Sequence, residues 1–361
     1  MFKQNSEQLV TIFGGAGYIG SLVTRLMLEQ GFRVRVFDNF MFGDDGIKGL
    51  QHDNLEVITG DTGNVYQVSA AVKNCNIVIH LAELGGRRFW SPHVNAPRYR
   101  DVNYLASSLV LYAAKERGVE RFIYASSDAV YGNADGLVYE TVLPAPVTLH
   151  ARLKLRMEES ILRARTREFH PTVLRISTCY GYSPRMRFDL LPNALIRDAI
   201  CQKQAYIENE NSYRSYVHVG DVAKIISECA QAYVNSVSGE VFNVGTHNYT
   251  MTPLAVVNVV RTIQRHVAVE TVRNRELLMD YRMSCRKLES FCDFTPTLSM
   301  REGLVEIADR ILDGTIKDPY DTKYTNGNSF FGDEDSDEQK GEESREVAEP
   351  KEAAGKETAE K

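Results

Sequence analysis

Apolar residues in the first half of the chain follow two alternating patterns. Short apolar or alternating runs, typical of strands, are separated by stretches with the helical spacing of apolar positions. The strand-like runs are Leu9–Phe13, Arg33–Phe37, Leu55–Thr59, Asn76–Leu81, Arg121–Ala125 and Thr172–Ile176. The clearest helical stretches are Val102–Arg117 and His150–Arg167. This alternation predicts an α/β fold, a doubly wound parallel sheet with helices on both faces.

The pattern becomes less regular after Ser177. Shorter elements there are punctuated by prolines, namely Pro184, Pro192 and Pro253. We therefore expect one domain over residues 1–176 and a smaller C-terminal lobe over residues 177–320 that carries most of the substrate pocket. A helix over Asp221–Val234 and a strand over Glu240–Val244 are expected to return to the main sheet.

The net charge of −6 is concentrated at the end of the chain. Residues 332–361 hold 12 acidic and 5 basic side chains and no aromatic residue, whereas the remainder holds 36 acidic and 37 basic side chains. A segment so charged and so poor in apolar residues cannot bury enough surface to fold. We expect folded structure to end between Ile316 and Tyr320, and residues 321–361 to form a disordered acidic tail.

Composition argues against several classes of protein. No apolar run reaches the roughly 18 residues of a membrane span, and residues 1–8 contain no apolar signal core, so we expect a cytoplasmic protein without a membrane partner. The near-neutral body has no basic stripe for nucleic acid. Six cysteines without CxxC spacing and histidines without HExxH spacing predict reduced thiols and no metal site.

A glycine-rich turn is the first candidate for chemistry. Gly14, Gly17 and Gly20 lie between the run that ends at Phe13 and a helical stretch. Glycines permit a tight turn and let backbone N–H groups approach phosphate oxygens, and the helix N-terminus favours an anion. The spacing Gly14-x-x-Gly17-x-x-Gly20, in its strand–turn–helix context, predicts a dinucleotide pyrophosphate site.

The end of the next strand supports this interpretation. Asp38, followed by Asn39, comes about 20 residues after the glycines, where a carboxylate can accept hydrogen bonds from both hydroxyls of an adenosine ribose. A 2′-phosphate placed against Asp38 would be repelled, so the sequence favours NAD over NADP.

Further short motifs follow the turn in order. They are Gly60-Asp61, His80-Leu81-Ala82, Asn103, Ala125 to Gly132, Lys154, Arg175 with Tyr180-Gly181, Arg214 to Ala223, and Phe242 to Gly245. Between about Leu9 and Leu312 the chain resembles the extended short-chain dehydrogenase/reductase family, specifically its NAD-dependent nucleotide-sugar epimerases and dehydratases. The resemblance implies a Rossmann domain with a smaller substrate-binding lobe.

The resemblance also implies which residues hold the cofactor. The glycine turn, with Gly14, Gly17, Tyr18, Ile19 and Gly20, would hold the pyrophosphate, and Asp38 with Asn39 the adenosine ribose. Adenine would be met by Asp61 and Thr62, whereas Leu81 and Ala82 would line the cofactor cleft and Lys154 would bind the nicotinamide ribose.

Catalytic and substrate roles follow from the same resemblance. Ser127 matches the residue that hydrogen-bonds the sugar hydroxyl undergoing oxidation. Arg214 resembles the arginine that grips the substrate diphosphate, a task that suits the planar guanidinium fork. The complete set of implied substrate contacts is Asn103, Thr178, Arg187, Arg214 and Arg282, and Arg185 is a further candidate for phosphate.

One position departs from the family pattern. The family has Tyr-x-x-x-Lys on a helix, with the tyrosine as proton acceptor, but the residue four before Lys154 here is His150. Three alternatives remain open. The imidazole replaces the phenolate as base, since its ordinary pKa near 6.5 leaves it partly neutral; another group such as Asp128 or Tyr131 takes the proton; or the site is catalytically impaired.

The leading hypothesis is an NAD-dependent nucleotide-sugar epimerase that removes and returns a hydride, most simply at C4. The alternatives are an impaired NAD- or nucleotide-sugar-binding homologue and a nucleotide-sugar dehydratase or 4-keto reductase. Dehydratases of the family carry Asp-Glu after the hydroxyl residue, whereas this chain has Asp128-Ala129, which argues against dehydration. By resemblance the chain would form a homodimer through Val102–Arg117 and His150–Arg167.

Overall fold

The structure is a computed structural model that describes residues 4–86, 96–134, 136–246, 250–273, 280–292 and 294–326. The acidic segment 332–361, expected to be disordered, lies outside the described residues. No helix within these ranges is both long and apolar enough to cross a bilayer.

Fourteen strands are described. They are β1 (Leu9–Phe13), β2 (Arg33–Asp38), β3 (Leu55–Thr59), β4 (Ile77–His80), β5 (Arg121–Ser127), β6 (Leu137–Val138), β7 (His170–Ile176), β8 (Thr178–Tyr180), β9 (Gln204–Glu208), β10 (Arg214–His218), β11 (Glu240–Val244), β12 (Thr250–Met251), β13 (Ala268–Val272) and β14 (Arg282–Met283).

The described α-helices connect and cover these strands. They are α1 (Gly20–Glu29), α2 (Val65–Ala71), α3 (Pro97–Arg100), α4 (Ser107–Glu116), α5 (Leu149–Arg163), α6 (Leu191–Gln202), α7 (Val219–Gln231), α8 (Val234–Val237), α9 (Pro253–Arg261), α10 (Arg286–Cys292) and α11 (Met300–Leu312). A π-helical segment, Asp101–Ala106, joins α3 to α4, and 3-10 turns lie at Asn5–Glu7, Asp128–Tyr131 and Thr322–Tyr324.

Seven parallel strands form the central sheet, in the order β11-β7-β5-β4-β1-β2-β3. All five residues of β1 are buried, because helices cover both faces of the sheet at its centre. Separate apolar cores pack on the two faces, one beneath α1 and α7 and the other beneath α2, α4 and α5. This arrangement confirms the doubly wound α/β prediction.

The strand order reverses between β1 and β4. The chain runs outward from β1 through β2 to β3, then crosses back to β4 and continues in the other direction. Ligands of open α/β sheets bind in the crevice outside the carboxyl ends of the strands at such a point. Phe13 and His80 end the two strands, so the glycine turn and Leu81 face each other across this crevice.

Small sheets build the second lobe from residues after β7. Strands β12, β10 and β8 form one sheet, and β9 pairs with β13. Strand β14 pairs with β6, which ties the lobe to the loop after β5. Later segments pack against the central sheet: α7 packs against α1, and β11 adds the edge strand of that sheet.

Two predicted boundaries differ from the structure. The helix predicted over His150–Arg167 ends at Arg163, and Thr166 caps the following turn by accepting from the backbone N–H of Phe169 at 3.1 Å. Described structure also continues beyond Tyr320, through the turn Thr322–Tyr324 to Asn326. Tyr324 packs edge-on against Phe188, with 5.8 Å between ring centroids, which explains why the folded part extends further.

Candidate active site

The glycine turn forms a bare backbone cradle at the carboxyl end of β1. Gly14 has φ of +79°, and a Cβ there would lie 2.7 Å from the backbone nitrogen of Ala82. A Cβ on Gly20 would overlap the carbonyl oxygen of Gly14. Helix α1 begins at Gly20, so its N-terminal N–H groups face the same space, together with Gly17, Tyr18 and Ile19. The cradle therefore has the shape and dipole that a pyrophosphate requires.

Asp38 is hydrogen-bonded to the glycine turn. Its Oδ2 accepts from the backbone N–H of Ala16 at 3.0 Å and its Oδ1 from that of Phe40 at 3.0 Å. Asn39 accepts from the backbone N–H of Met41 at 3.0 Å. Asp38 thus fixes the geometry of the turn as well as offering a carboxylate to the cleft.

The remaining residues predicted for the cofactor line the same cleft. Asp61 and Thr62 follow β3, and Leu81 and Ala82 follow β4. The Asp61 carboxylate accepts from the backbone N–H of Gly63 at 2.8 Å, which fixes the loop next to the expected adenine position.

Ser127 and Asp128 lie at the end of β5, at the opposite end of the cleft from Asp38. The Ser127 hydroxyl accepts from the backbone N–H of Ala129 at 3.2 Å and lies 3.4 Å from Asp128 Oδ1. Burial raises the pKa of the Asp128 carboxyl to about 7, although hydrogen bonding by Tyr281 and the charge of Arg214 oppose the shift. Asp128 can therefore exist in both protonation states near neutral pH.

Helix α5 brings His150 and Lys154 to the cleft one turn apart. Thr148 begins the helix by accepting from the backbone N–H of Ala151 at 3.1 Å. Lys154 Nζ donates to the Ala125 carbonyl at 2.6 Å. The hydroxyl of the buried Tyr99 lies 2.8 Å from His150 Nδ1. With Nδ1 engaged, Nε2 is the ring nitrogen that can meet a ligand.

Glu83 adds an acidic group that the sequence analysis did not assign. Its Oε2 lies 2.6 Å from Lys154 Nζ. The loop that carries it is held by Asn103, whose Oδ1 accepts from the Leu84 N–H and whose Nδ2 donates to the Leu84 carbonyl, each at 2.9 Å. Asn103, predicted to contact substrate, therefore positions this loop.

Burial and these charges determine the protonation states. Burial lowers the pKa of His150 to about 4; Glu83 opposes that shift, and Lys154 and Arg187 add to it. Burial alone would raise the pKa of Glu83, but the charges of Lys154, His150 and Arg187 and the hydrogen bond from Lys154 together lower the value to about 2. Burial raises the pKa of Tyr99 well above its ordinary range. At neutral pH the site holds a neutral imidazole, a neutral phenol and an ion pair.

Arginines from the second lobe complete the cleft. Arg214 has a buried Nη1 with no hydrogen-bond partner, and buried Arg185 has an unpartnered Nε. Arg187 pairs with Asp189 at 2.5 Å. Thr178 also lines the cleft. Unsatisfied buried guanidinium N–H groups are costly, so they indicate an anionic ligand at this wall.

Arg282 lies elsewhere. The side chain is exposed and its guanidinium stacks on the Tyr213 ring, 4.2 Å from the ring centroid. It is absent from the residues that line the cleft. Of the residues predicted to contact substrate, Thr178, Arg187 and Arg214 therefore line the cleft, whereas Arg282 and the buried Asn103 do not.

Tyr131, one alternative proton acceptor, is engaged elsewhere. Its hydroxyl donates to Asn243 Oδ1 at 2.6 Å and accepts from Arg175 Nη1 at 2.9 Å, inside the protein. His218, expected to be structural, caps α7 by accepting from the Gly220 N–H at 3.2 Å. Asp128 is the alternative acceptor that faces the cleft.

The C-terminal segment supplies another residue that sequence reasoning missed. Asn326 lines the cleft and accepts a hydrogen bond from Arg185 Nη2. Lys323 pairs with Asp45, 2.8 Å away, in the loop after β2. No local sequence motif predicts that Asn326 lines the cleft, because this position depends on the chain returning from the second lobe.

The positions of Tyr99 and Glu83 in the sequence offered a signal. Tyr99 stands one helical turn before Asn103, and Glu83 directly follows the Leu81-Ala82 pair. Both positions are adjacent to assigned residues, so a check of the neighbouring side chains would have found them.

Comparison with known proteins identifies the family of this chain. The sequence model of the NAD dependent epimerase/dehydratase family matches residues 10–245. The chain belongs to this family. NAD is accordingly its cofactor, and the glycine cradle with Asp38 beside it fits the pyrophosphate and ribose of a dinucleotide.

Individual relatives are more distant. UDP-glucose 4-epimerase of Bacillus subtilis is 25% identical over 267 residues, which cover 66% of this chain and 77% of the relative. The structure of MoeE5 with UDP-glucuronic acid and NAD is 27% identical, with a TM-score of 0.74, covering 84% of this chain and 99% of that one.

A further structural neighbour is UDP-glucuronic acid 4-epimerase from Bacillus cereus, solved with UDP-glucuronic acid and NAD. It is 23% identical with a TM-score of 0.74, covering 85% of this chain and 99% of that one. At this identity the likeness supports the fold alone.

Proposed function

We propose that this protein is an NAD-dependent nucleotide-sugar epimerase that inverts a sugar carbon, C4 in the simplest case. The observation that carries the proposal is one continuous cleft. It joins the glycine cradle and Asp38 at one end to Ser127, His150 and Lys154 at the other, with arginines along the second lobe. One relative is a UDP-glucose 4-epimerase, and MoeE5 was solved with UDP-glucuronic acid and NAD, which makes a UDP-sugar the first substrate to test.

The chemistry assigns a role to each side chain at the reacting end. Ser127 orients the sugar hydroxyl that loses its proton, and His150 Nε2 accepts that proton. Lys154 binds the nicotinamide ribose. NAD⁺ supplies the hydride acceptor when bound, so the O–H and C–H bonds of the sugar break as a C=O bond forms. Return of hydride to the other face, with the proton donated back from Nε2, gives the epimer.

Arg214 is assigned to the substrate diphosphate. Its buried and unpartnered Nη1 needs an acceptor, and a diphosphate offers several. Arg187 is already paired with Asp189. We therefore assign it a contribution to the positive potential around the diphosphate and no direct contact with it.

The test is direct conversion of a defined substrate. Purified protein is incubated with UDP-glucose, UDP-galactose and UDP-glucuronic acid, then with GDP-, CDP- and dTDP-sugars, and products are followed by proton NMR. A C4 epimer from one of them, absent with His150→Ala, is the expected result. Conversion by His150→Ala at the wild-type rate would overturn the role of His150.

A rival function is a nucleotide-sugar-binding protein with an impaired site. One observation favours it, namely that residue 150 is a histidine where the family uses tyrosine. No conversion of any tested sugar by the wild-type protein, together with a gain of epimerase activity in His150→Tyr, would establish the rival.

We also propose a cytoplasmic homodimer. Leu105 and Tyr112 are 57% and 63% exposed and stand seven residues apart, so they share one helical face between the π segment and α4. A second copy of the chain would cover this face. Leu105→Glu should convert a dimer to a monomer in light scattering, whereas the exposed Leu143→Glu should not; a monomeric wild type would exclude the dimer.

A further inference from the structure

The electrostatic arrangement around His150 is the reverse of the one a tyrosine base requires. A phenol must lose a proton before it can act, so it needs a neighbouring cation. An imidazole is ready when neutral and becomes a cation when it acts, so it needs a neighbouring anion. We propose that Glu83 is that anion, a positioning residue that neutralises Lys154 and stabilises the imidazolium form of His150. This inference rests on the proposed function and deepens it.

Geometry supplies the first support. Glu83 Oε2 lies 2.6 Å from Lys154 Nζ, and Lys154 is one turn of α5 from His150, so the three side chains share one end of the cleft. The Glu83 side chain is 26% exposed and that of Lys154 is 7% exposed. At such limited exposure, water screens the pair far less than at the surface.

The placement of Glu83 is built into the fold. Two hydrogen bonds of 2.9 Å between Asn103 and the Leu84 backbone fix the residue next to Glu83. Tyr99, one turn earlier on the same helical stretch, lies against His150 Nδ1 at 2.8 Å. One helical element thus positions both the carboxylate and the imidazole, which a chance surface pair would not show.

The charges that face His150 come from three directions. Lys154 lies on its own helix, Glu83 on the loop after β4, and Arg187 on the loop of the second lobe. Without Glu83, the remaining charges that act on His150 within the described residues are Lys154 and Arg187, two cations that oppose protonation of the imidazole. Tyr99 is neutral, because burial raises its pKa, so it orients the ring without supplying charge.

The proton therefore has a defined path. With Nδ1–H donating to the Tyr99 oxygen, the lone pair of Nε2 accepts the proton of the sugar hydroxyl while the C–H hydride leaves to NAD⁺. The resulting imidazolium is stabilised by the charge of the Glu83 carboxylate until the proton is returned. No other oxidant or base enters the step.

The decisive measurement is the titration of His150 in NAD-loaded protein, independent of turnover. The Hε1 resonance is followed by NMR with ¹³C-labelled histidine and assigned by its loss in His150→Asn. Lys154→Met removes the cation and brings the midpoint into an accessible pH range. Adding Glu83→Gln to Lys154→Met should then lower the His150 midpoint by about one pH unit or more, the effect expected for loss of a nearby anion.

A matched control removes an exposed carboxylate on α5, the helix that carries His150. Glu159 is 50% exposed and pairs with Arg163, so Glu159→Gln in the Lys154→Met background should leave the midpoint unchanged. Equal midpoints for Lys154→Met and Glu83→Gln/Lys154→Met would overturn the assignment of Glu83. That result would leave the epimerase proposal standing, since the proposal is tested by product formation.

A charge-swap experiment tests the same idea through activity. His150→Tyr alone places a phenol beside a neutralised lysine and should recover little epimerase activity. Glu83→Ala/His150→Tyr frees Lys154 to lower the phenol pKa and should be at least tenfold faster than His150→Tyr at pH 8, equivalent to a shift of about one pKa unit. Activity in His150→Tyr that is unchanged or reduced by Glu83→Ala would contradict the proposal.

Discussion

The Tyr99 hydroxyl lies 2.8 Å from Nδ1 of His150, although 51 residues separate them in the chain. Tyr99 is fully buried, and its partner stands at the position where the family resemblance implies a tyrosine. The contact leaves Nε2 as the nitrogen that can act on a ligand. Orientation of a base by a neighbour at its second nitrogen is a recurring device in enzymes.

Tyr99→Phe removes this contact while keeping the packed ring. We expect kcat to fall about tenfold with KM little changed, because one buried hydrogen bond contributes about 1–1.5 kcal/mol. Steady-state kinetics on the substrate identified by NMR measures the effect. Tyr66→Phe, at a side chain 85% exposed, is the matched control; an unaltered kcat in Tyr99→Phe would remove its role in orienting His150.

Arg214→Met tests the assignment of the substrate diphosphate. Losing a charge-assisted contact worth about 1.5–3 kcal/mol should raise KM by tenfold or more and leave NAD affinity unchanged. Arg163→Met, at a side chain 76% exposed, serves as the control. If NAD affinity fell instead of substrate affinity, Arg214 would belong to the cofactor site.

Asp38→Ala removes both the ribose acceptor and the two backbone contacts that shape the glycine turn. Affinity for NAD should fall by at least tenfold, which calorimetry on protein stripped of cofactor will measure; charged hydrogen bonds contribute about 1.5–3 kcal/mol. Asp44→Ala removes an exposed carboxylate from the following loop as a control. Equal affinities for the two variants would exclude Asp38 from the cofactor site.

The raised pKa of Asp128 predicts that the free energy of unfolding depends on pH in an unusual direction. Its pKa in the folded protein is about 7, above the ordinary 3.8, so the folded state binds the proton more tightly. The stabilisation is fully present below about pH 4 and is lost as the pH rises through 7. Asp128→Asn mimics the protonated form, so its advantage in free energy of unfolding over wild type should grow from pH 5 to pH 8.

Urea denaturation at both pH values measures that difference. A constant gap between Asp128→Asn and wild type would show that Asp128 keeps its ordinary pKa in the folded protein. The prediction concerns the folded chain alone and holds whichever substrate the site accepts.

Local sequence predicted the first domain well because its elements carry strong local patterns. The apolar run Leu9–Phe13 is buried throughout and could only be a central strand. The positions of the glycine turn and of Asp38 could be predicted because each follows the end of a strand. In open parallel α/β sheets the ligand lies at the carboxyl ends of the strands. The family resemblance then assigned Ser127 and Lys154 by position.

Contacts between distant segments were harder to foresee. Tyr99 meets His150, and Asn326 meets Arg185, only after the chain has folded. Arg282, expected among the substrate contacts, illustrates the same difficulty: β14 pairs with β6, and the Arg282 side chain is exposed and stacks on Tyr213. Hydrophobic periodicity carries no information on such pairings, since they depend on how two lobes meet.

The return of the chain at residues 321–326 has a practical consequence for anyone shortening the protein for crystallisation. Cutting at Tyr320, where sequence alone would suggest, deletes the Tyr324 ring on Phe188 and the amide that meets Arg185. The cofactor crevice would lose part of its wall while the rest of the domain stayed folded. A truncation after Asn326 keeps that wall and still discards the acidic end.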